Sequence, residues 1–213
     1  MDSWRYEALG NDVKPIRIGH LNVTAPNGGQ ALTQGSTYAI TWQSGNLPGA
    51  TIAIRLYSGL SPSRSIAVAA PNTGTFSWKI PYTQPPGAAY RIRILATSPN
   101  VSEDWSDASF RVLPAVTLTA PNGGQKIKRG TTYRVAWTYR NAPGPTVRLD
   151  LYKGAILSRT IVASTPVGTA GKGSYLWRIP ATQTPAGTYT IKVRSTKYPA
   201  CFDFSNKAFA ITK

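Results

Sequence analysis

Hydrophobic and polar residues alternate with a period of two along many short segments of this 213-residue chain. In residues 38–42 the alternation places Tyr38, Ile40 and Trp42 on one face, and residues 133–137 repeat the arrangement. Such alternation predicts β-strands with one buried face, and no segment has the period of a helix. In the first half of the chain we expect strands at residues 20–25, 37–43, 50–57, 64–69, 74–80, 89–96 and 106–112.

The same pattern of residues occurs twice along the chain. The motif Pro-Asn-Gly-Gly-Gln at 26–30 returns at 121–125, an offset of 95 residues, whereas Trp78 returns as Trp177, an offset of 99 residues. An offset that increases by four in one place indicates two copies of one folding unit, with a short insertion near residues 168–172.

The composition is typical of an all-β protein with many turns. Gly and Pro number 19 and 17, and charged residues make up 15% of the chain, below the roughly 25% of an average soluble domain. We therefore predict an all-β fold of two tandem immunoglobulin-like antiparallel β-sandwiches, at 20–113 and 114–213. Residues 1–19 lie outside the repeat and are predicted to form an N-terminal extended arm.

The Asn-Gly-Gly segments at 27–29 and 122–124 are predicted to form tight turns, because Asn and Gly tolerate positive φ. The alternative is a loop that cradles a phosphate group. Such loops usually lead into a helix, and neither segment is followed by a helical pattern.

The first copy contains a characteristic series of motifs. In order they are Leu-x-Val-Thr-Ala-Pro-Asn-Gly-Gly-Gln, Gly-Ser-Thr-Tyr-x-Ile-x-Trp, Ile-x-Leu-Tyr, Phe-Ser-Trp-x-Ile-Pro, Tyr-x-Ile-x-Ile and Ser-Asp-x-x-Phe. With these motifs, residues 21–112 resemble the Ser/Thr-rich, Kre/Knh-like immunoglobulin-fold domain, as do residues 116–211, where Asn206 replaces Asp107. The resemblance implies a β-sandwich of extracellular, cell-wall and surface-attached proteins, usually a non-catalytic spacer or attachment module.

Positive charge is concentrated in the second copy. The chain carries a net charge of +16, and residues 114–213 contain fifteen Lys and Arg against two acidic residues, whereas residues 21–113 contain six against three. A charge of this size attracts polyanions over a long range.

Two strands of the second copy are expected to carry a basic face. Alternation directs Arg148 outward from one strand and Lys192 and Arg194 outward from another, and these strands are commonly neighbours in a sandwich. A turn at 126–129 adds further cations. The predicted contact residues are Lys126, Lys128, Arg129, Arg148, Lys192 and Arg194.

The basic face has several possible partners. It could be merely solvated, or it could bind protein or an acidic glycan. Nucleic acid is ranked below these partners because the sequence shows no aromatic stacking platform among the charges.

The N-terminal arm is more apolar than an ordinary tail. It could fold back on the first sandwich, or dock on a neighbouring subunit or a partner's sheet. The predicted docking residues are Trp4, Tyr6, Leu9, Ile16 and Ile18.

The sequence shows no catalytic constellation, and we expect no enzyme activity, cofactor or metal site. His20 and Cys201 are the only residues of their types. Cys201 is interpreted as a buried residue, with a bridge to another chain as the alternative. Asp104 and its counterpart Asp203 are expected to bind backbone groups near Ser106 and Ser205, and calcium binding is the alternative.

These observations favour a non-enzymatic structural protein of a larger surface assembly. Residues 1–20 contain no run of the signal-peptide type, and no stretch is long enough to span a membrane. We therefore expect a chain made in a host cytoplasm and exposed on a phage virion, as a capsid decoration or tail protein bound to capsid or tail subunits or to further copies of itself. The alternatives are a secreted or cell-surface module that binds acidic glycan or wall polymer, and an accessory domain of a carbohydrate-active enzyme.

Overall fold

The computed structural model describes residues 4–9, 12–17, 19–97 and 102–213, the first two ranges as backbone alone. Over these ranges the chain forms strands and turns, and no helix has the length and apolarity needed to cross a membrane. The strands are β1 Trp4–Leu9, β2 Asp12–Arg17, β3 His20–Ala25, β4 Ala31–Thr33, β5 Thr37–Gly45, β6 Thr51–Ser58, β7 Ser61–Pro71, β8 Thr75–Lys79, β9 Gly87–Ala96, β10 Glu103–Trp105, β11 Phe110–Leu113, β12 Val116–Ala120, β13 Lys126–Lys128, β14 Thr132–Tyr139, β15 Thr146–Lys153, β16 Ile156–Pro166, β17 Lys172–Arg178, β18 Ala186–Ser195, β19 Phe202–Phe204 and β20 Phe209–Thr212.

The contacts divide the chain into two compact units. The second unit consists of Thr33–Ser36, Ile80–Pro86 and Val112–Lys213, and the first unit of the remaining described residues. The predicted limits of the arm and the two sandwiches are not tested by this division and stay predictions.

Both copies of the repeat have the same sheet topology. In the first copy one sheet has the order β3-β5-β8 and the other the order β4-β11-β9-β6-β7, with β10 paired to β9. In the second copy the orders are β12-β14-β17 and β13-β20-β18-β15-β16, with β19 paired to β18. The predicted all-β fold of two tandem immunoglobulin-like sandwiches is confirmed.

Each sandwich is filled by the apolar positions of the alternating segments. The four tryptophans that recur in register, Trp42, Trp78, Trp137 and Trp177, are each at most 4% exposed. They pack with aliphatic residues that are fully buried, each of which stabilises the fold by about 1.5–3 kcal/mol relative to an exposed side chain. In the second copy the core includes Val135, Leu149, Leu151, Tyr189, Ile191, Val193 and Phe209.

The structure also contains short strands that alternation does not predict. In the first copy these are β4 and β10, of three residues each. The strand predicted at 106–112 begins only at Phe110, because Ser106 is turned into the interior to bind backbone groups. A three-residue strand is too short to show a period of two.

The turns at the Asn-Gly-Gly segments agree with the prediction. Gly28 and Gly29 have φ of 132° and 72°, values that favour glycine. The backbone N–H of Gly28 donates to Oε1 of Gln30 at 2.8 Å, and Gly123 makes the same bond to Gln125. The Gln of the motif therefore binds the N–H that a phosphate-cradling loop would direct at an anion.

The N-terminal arm is a hairpin and not a single extended strand. β1 and β2 pair antiparallel from Trp4 opposite Arg17 to Leu9 opposite Asp12, so that the backbone groups satisfy one another. Of the predicted docking residues, Ile18 lies outside the described residues, as do the side chains of Trp4, Tyr6, Leu9 and Ile16.

Candidate binding faces of the second copy

The aspartates before the last strand have the structural role that the sequence predicts. The Asp104 carboxylate accepts from the backbone N–H of Val23 at 2.6 Å, and Asp203 accepts from that of Leu118 at 2.9 Å. Burial raises the pKa of Asp203, and the hydrogen bonds from the backbone N–H groups of Leu118 and Phe204 oppose this. Each aspartate therefore joins the short strand before the final turn to the first strand of the opposite sheet.

The neighbouring serines complete this arrangement. Ser106 Oγ donates to the carbonyl of Pro26 at 2.7 Å and accepts from the N–H of Ile92 at 2.9 Å. Ser205 makes the matching bonds to Pro121 and Ile191 at 2.8 and 3.0 Å. The prediction that these residues bind backbone groups is confirmed.

The remaining described carboxylates also have protein partners. Glu103 pairs with Arg93, and Asp107 accepts from Asn27 Nδ2 at 2.6 Å. Asp150 pairs with Arg148. Within the part of the chain that the structure describes, no three His, Cys, Asp or Glu side chains are grouped so that they could hold a metal ion.

Cys201 is fully buried, as the preferred interpretation of the sequence requires. Burial raises the pKa of its thiol to about 11, although hydrogen bonds from the backbone of Ala115 and Val116 act in the opposite direction. A thiol of this kind is a weak nucleophile at neutral pH.

The predicted basic face is partly assembled on the outer side of the larger sheet. β15 and β18 are neighbours, with Arg148 opposite Arg194 and Asp150 opposite Lys192. The shared position of Arg148, Lys192 and Arg194 is therefore confirmed, and their role in binding stays a prediction.

The basic turn lies away from these three cations. Ile127 pairs with Ile211, which pairs with Ala186, and Lys192 lies six residues further along β18. At 3.4 Å per residue this separation is about 20 Å. Lys126, Lys128 and Arg129 therefore do not join Arg148, Lys192 and Arg194 in one patch.

Two cations of the basic face, Arg148 and Arg194, contact a carboxylate that the sequence interpretation did not place on this face, that of Asp150. The Asp150 side chain is only 4% exposed. Its Oδ1 accepts a hydrogen bond from Arg148 Nε at 2.8 Å, and Arg194 Nε lies 3.8 Å from its Oδ2. Thr160 donates to the same carboxylate at 2.9 Å. Asp150 lies two residues after Arg148 on the same strand, so the alternation already places both side chains on one face of the sheet.

Aromatic rings pack against one of these cations, a contact that the sequence interpretation did not identify. Lys192 Nζ lies 3.9 Å from the ring centre of Phe202 and 5.1 Å from that of Phe204. Tyr152 packs edge-on against Phe204, with ring centres 5.4 Å apart. Burial lowers the pKa of Lys192, and the charge of Arg194 adds to the effect. These phenylalanines belong to β19, a three-residue strand that the sequence pattern does not reveal.

The first copy has a similar cluster at the same place. Tyr57 and Trp105 have ring centres 4.5 Å apart, and Arg93 lies over Trp105 at 5.4 Å. A cation packed on aromatic rings is thus a feature of both sandwiches. The arginines of the second copy at 148 and 194 are replaced by Ala53 and Leu95 in the first.

A second basic face, not identified from the sequence, lies on the smaller sheet of the second copy. A surface cavity of about 560 Å³ is lined by exposed Arg134 and Lys172 together with Thr119, Ala136, Trp137, Thr138, Gly168, Thr169, Gly173 and Ser174. Lys172 and the glycine at 168 come from the turn that carries the predicted insertion. The sequence signal that could have identified this face is the replacement of Ala39 of the first copy by Arg134, together with the cation Lys172 in the insertion.

Comparisons with known families agree with the fold. Residues 25–110 match the family model described as a Kre9/KNH-like N-terminal Ig-like domain, and residues 114–193 match that of a bacterial Ig domain. The resemblance seen in the sequence motifs is confirmed. No curated protein sequence matches the chain.

Solved structures similar to the chain are also tandem arrays. A chimeric titin Z1Z2-Z1Z2 tandem is 16% identical, with 91% of this chain and 100% of that chain covered and a TM-score of 0.37. The N-terminal four Ig domains of Dscam1 isoform 4.44 are 11% identical, with 90% and 46% covered and a TM-score of 0.32. Fibronectin(III)-like modules of Clostridium thermocellum CbhA are 15% identical, with 90% and 91% covered and a TM-score of 0.25.

Proposed function

Because the chain is a tandem of two immunoglobulin-like domains, which indicates a structural or attachment module, we propose that it is a non-enzymatic component of a larger surface assembly. In this proposal the two copies have different roles. The first sandwich serves as a structural unit, and the second presents the contact surface to a partner.

The difference in charge between two copies of one scaffold carries this proposal. The copies share their sheet order and their buried tryptophans, yet residues 114–213 contain fifteen basic and two acidic residues against six and three in residues 21–113. The core and topology do not require such a difference, because the first copy forms the same fold without it. The added cations therefore point to a function on the surface of the second copy.

The state of the carboxylates supports a non-enzymatic role. All five described acidic side chains are bound within the fold: Glu103, Asp104, Asp107, Asp150 and Asp203. Three of them make structural contacts, Asp104 and Asp203 with backbone N–H groups and Asp150 with Arg148.

In its specific form the proposal is a phage virion component, a capsid decoration or tail protein whose N-terminal hairpin docks on other subunits. A secreted or wall-attached module is the second candidate, favoured by the positive charge of the second copy, because wall polymers and surface glycans are often anionic.

Fractionation of a culture that expresses the gene tests both candidates. Released particles are purified on a density gradient, and particles, envelopes and soluble extract are probed for the chain by quantitative mass spectrometry. We expect the chain in the particle band at a constant ratio to the major particle protein. Recovery with the envelopes instead contradicts the virion role and supports wall attachment, and recovery only as a free monomer contradicts both.

A further inference from the structure

The outer side of the smaller sheet in the second copy faces solvent and carries two cations, Arg134 and Lys172. In the ladder between β14 and β17, Arg134 lies opposite Leu176, Ala136 opposite Ser174, and Thr138 opposite Lys172. The intervening residues Val135, Trp137 and Trp177 are buried or face the core, so the six named residues share the solvent side. We call them the Arg134–Lys172 face.

The two cations of this face stand at opposite ends of it. Thr138, which pairs with Lys172, is four residues along β14 from Arg134, and at 3.3 Å per residue this is about 13 Å. Between them the surface consists of Ala136 and Ser174, small residues that leave a cleft. A cleft with a cation at each end fits an extended polymer with repeated negative charges better than a single small anion.

The side chains of this face are available for a ligand. Over residues 19–97 and 102–213, neither Arg134 nor Lys172 has an ion-pair or hydrogen-bond partner for its side chain, and no carboxylate lines the cavity. On the larger sheet, by contrast, Arg148 is held by Asp150, and Lys192 packs on two rings. Arg134 and Lys172 are therefore free of the carboxylate and ring contacts that engage the cations of the larger sheet.

The chemistry of the cleft matches a carbohydrate. Hydroxyl groups of Thr119, Thr138, Thr169 and Ser174 line it and can both donate and accept hydrogen bonds, as sugar hydroxyls do. Leu176 is 63% exposed beside Arg134 and offers an apolar surface to the C–H side of a sugar ring.

A nucleic acid fits this cleft less well. Single-stranded nucleic acids bind through bases stacked on open aromatic rings. Trp137 lines the cavity, but it is 1% exposed and its indole N–H donates to the carbonyl of Val167 at 2.8 Å, so it offers no ring face for stacking.

The first copy lacks these groups. Ala39 stands in place of Arg134 and Ser77 in place of Leu176, and Lys172 lies at the inserted turn, where the first copy has no counterpart. The sheet itself is unchanged, since Trp42 and Trp78 are buried in the first copy as Trp137 and Trp177 are in the second. The face is thus an addition to a fold that forms without it.

We propose that the Arg134–Lys172 face binds an acidic polysaccharide, through carboxylate or sulfate groups at the two cations and sugar hydroxyls in the cleft. This inference rests on the proposed attachment function and assigns it a site and a class of ligand.

The first copy supplies most of the substitutions that test the proposal. One double variant, Arg134→Ala with Lys172→Thr, introduces the first-copy residue Ala39 at position 134 and a neutral residue at the inserted turn. The matched control, Lys153→Ser with Lys207→Ala, introduces the first-copy residues Ser58 and Ala108 and removes the same charge from exposed positions that do not line the cleft. All four side chains are exposed, so both variants are expected to fold, which far-UV circular dichroism checks.

Affinity of the full chain for polygalacturonate is measured by calorimetry at about 0.15 M salt, which screens long-range attraction. We expect the Arg134→Ala, Lys172→Thr variant to bind about tenfold more weakly than the wild type, and the control to stay within about twofold. Dextran sulfate separates sulfate from carboxylate recognition, and neutral dextran should not bind.

Three results would overturn the proposal. Equal losses in the two variants would show that net charge alone is responsible. Tighter binding of a single-stranded oligonucleotide, lost in the same variant, would make the face a nucleic-acid site. Failure of the wild type to bind either anionic polymer would show that acidic polysaccharides are not the ligand.

Failure of this site and failure of the proposed function give different results. If the chain is recovered with particles or envelopes but binds no anionic polysaccharide, the site is wrong and the attachment function stands. If it is recovered only as a free monomer, the attachment function itself fails.

Discussion

Ser106 and Ser205 show how a single buried side chain joins the two sheets of a sandwich. Each hydroxyl donates to the carbonyl of a proline at the end of the first strand and accepts from a strand of the other sheet. The motif Ser-Asp-x-x-Phe of the first copy therefore begins with a residue that the fold needs for its hydrogen bonds.

Replacement of Ser205 by Ala tests this role. The change leaves the N–H of Ile191 and the carbonyl of Pro121 buried without their partner, so we expect a loss of about 1–3 kcal/mol in the free energy of unfolding. Urea denaturation followed by near-UV circular dichroism measures the loss. The exposed Ser77→Ala is the control and should stay within about 0.5 kcal/mol of the wild type. Equal stability of the two variants would contradict the account.

At the scale of strands, a period of two predicts the long elements well and the short ones not at all. β5, β6 and β9 are long enough for several alternations, and each was predicted close to its observed position. β10 and β19 have three residues each and depend on pairing with a longer strand. Because β19 was missed, its two phenylalanines were not placed beside Lys192.

The binding faces could be predicted from the sequence only in part. Alternation placed Arg148, Lys192 and Arg194 together, because the order of neighbouring strands in a sandwich is regular. It could not show that Asp150 is buried beneath them, since burial depends on how the long arginine side chains fold over the carboxylate. Lys172 was overlooked because it lies at the inserted turn, where no strand pattern indicates its direction.

Asp150 contacts arginines on both strands of the β15–β18 pair. Arg148 and Arg194 are directly opposite each other, and the carboxylate between them offsets their repulsion. We expect Asp150→Asn to lower the free energy of unfolding by about 2 kcal/mol, less than for a fully buried pair because the Arg148 side chain is 29% exposed. Urea denaturation at low and high salt measures the loss.

The control for this substitution is Asp107→Asn, which also removes one negative charge but at an exposed position. Its amide oxygen can still accept from Asn27, so the variant should stay within about 0.5 kcal/mol of the wild type. If both variants lose the same stability, the effect comes from net charge, and the local role of Asp150 is wrong.

At the scale of the whole molecule, the chain uses one sandwich twice with the same interior and different exteriors. The core tryptophans, the Asp and Ser bonds before the last strand, and the cluster of a cation on aromatic rings occur in both copies. The unpaired cations of the Arg134–Lys172 face occur in the second copy alone. The interior accounts for the fold, and we attribute function to the exterior of the second copy.

Hydrogen–deuterium exchange of the full chain with and without polygalacturonate tests this division of work most directly. The account predicts that ligand slows exchange in β14, β17 and the turn at 167–172, while β5 and β8, the equivalent strands of the first copy, exchange as before. Equal protection of both copies, or protection confined to β15 and β18, would contradict it.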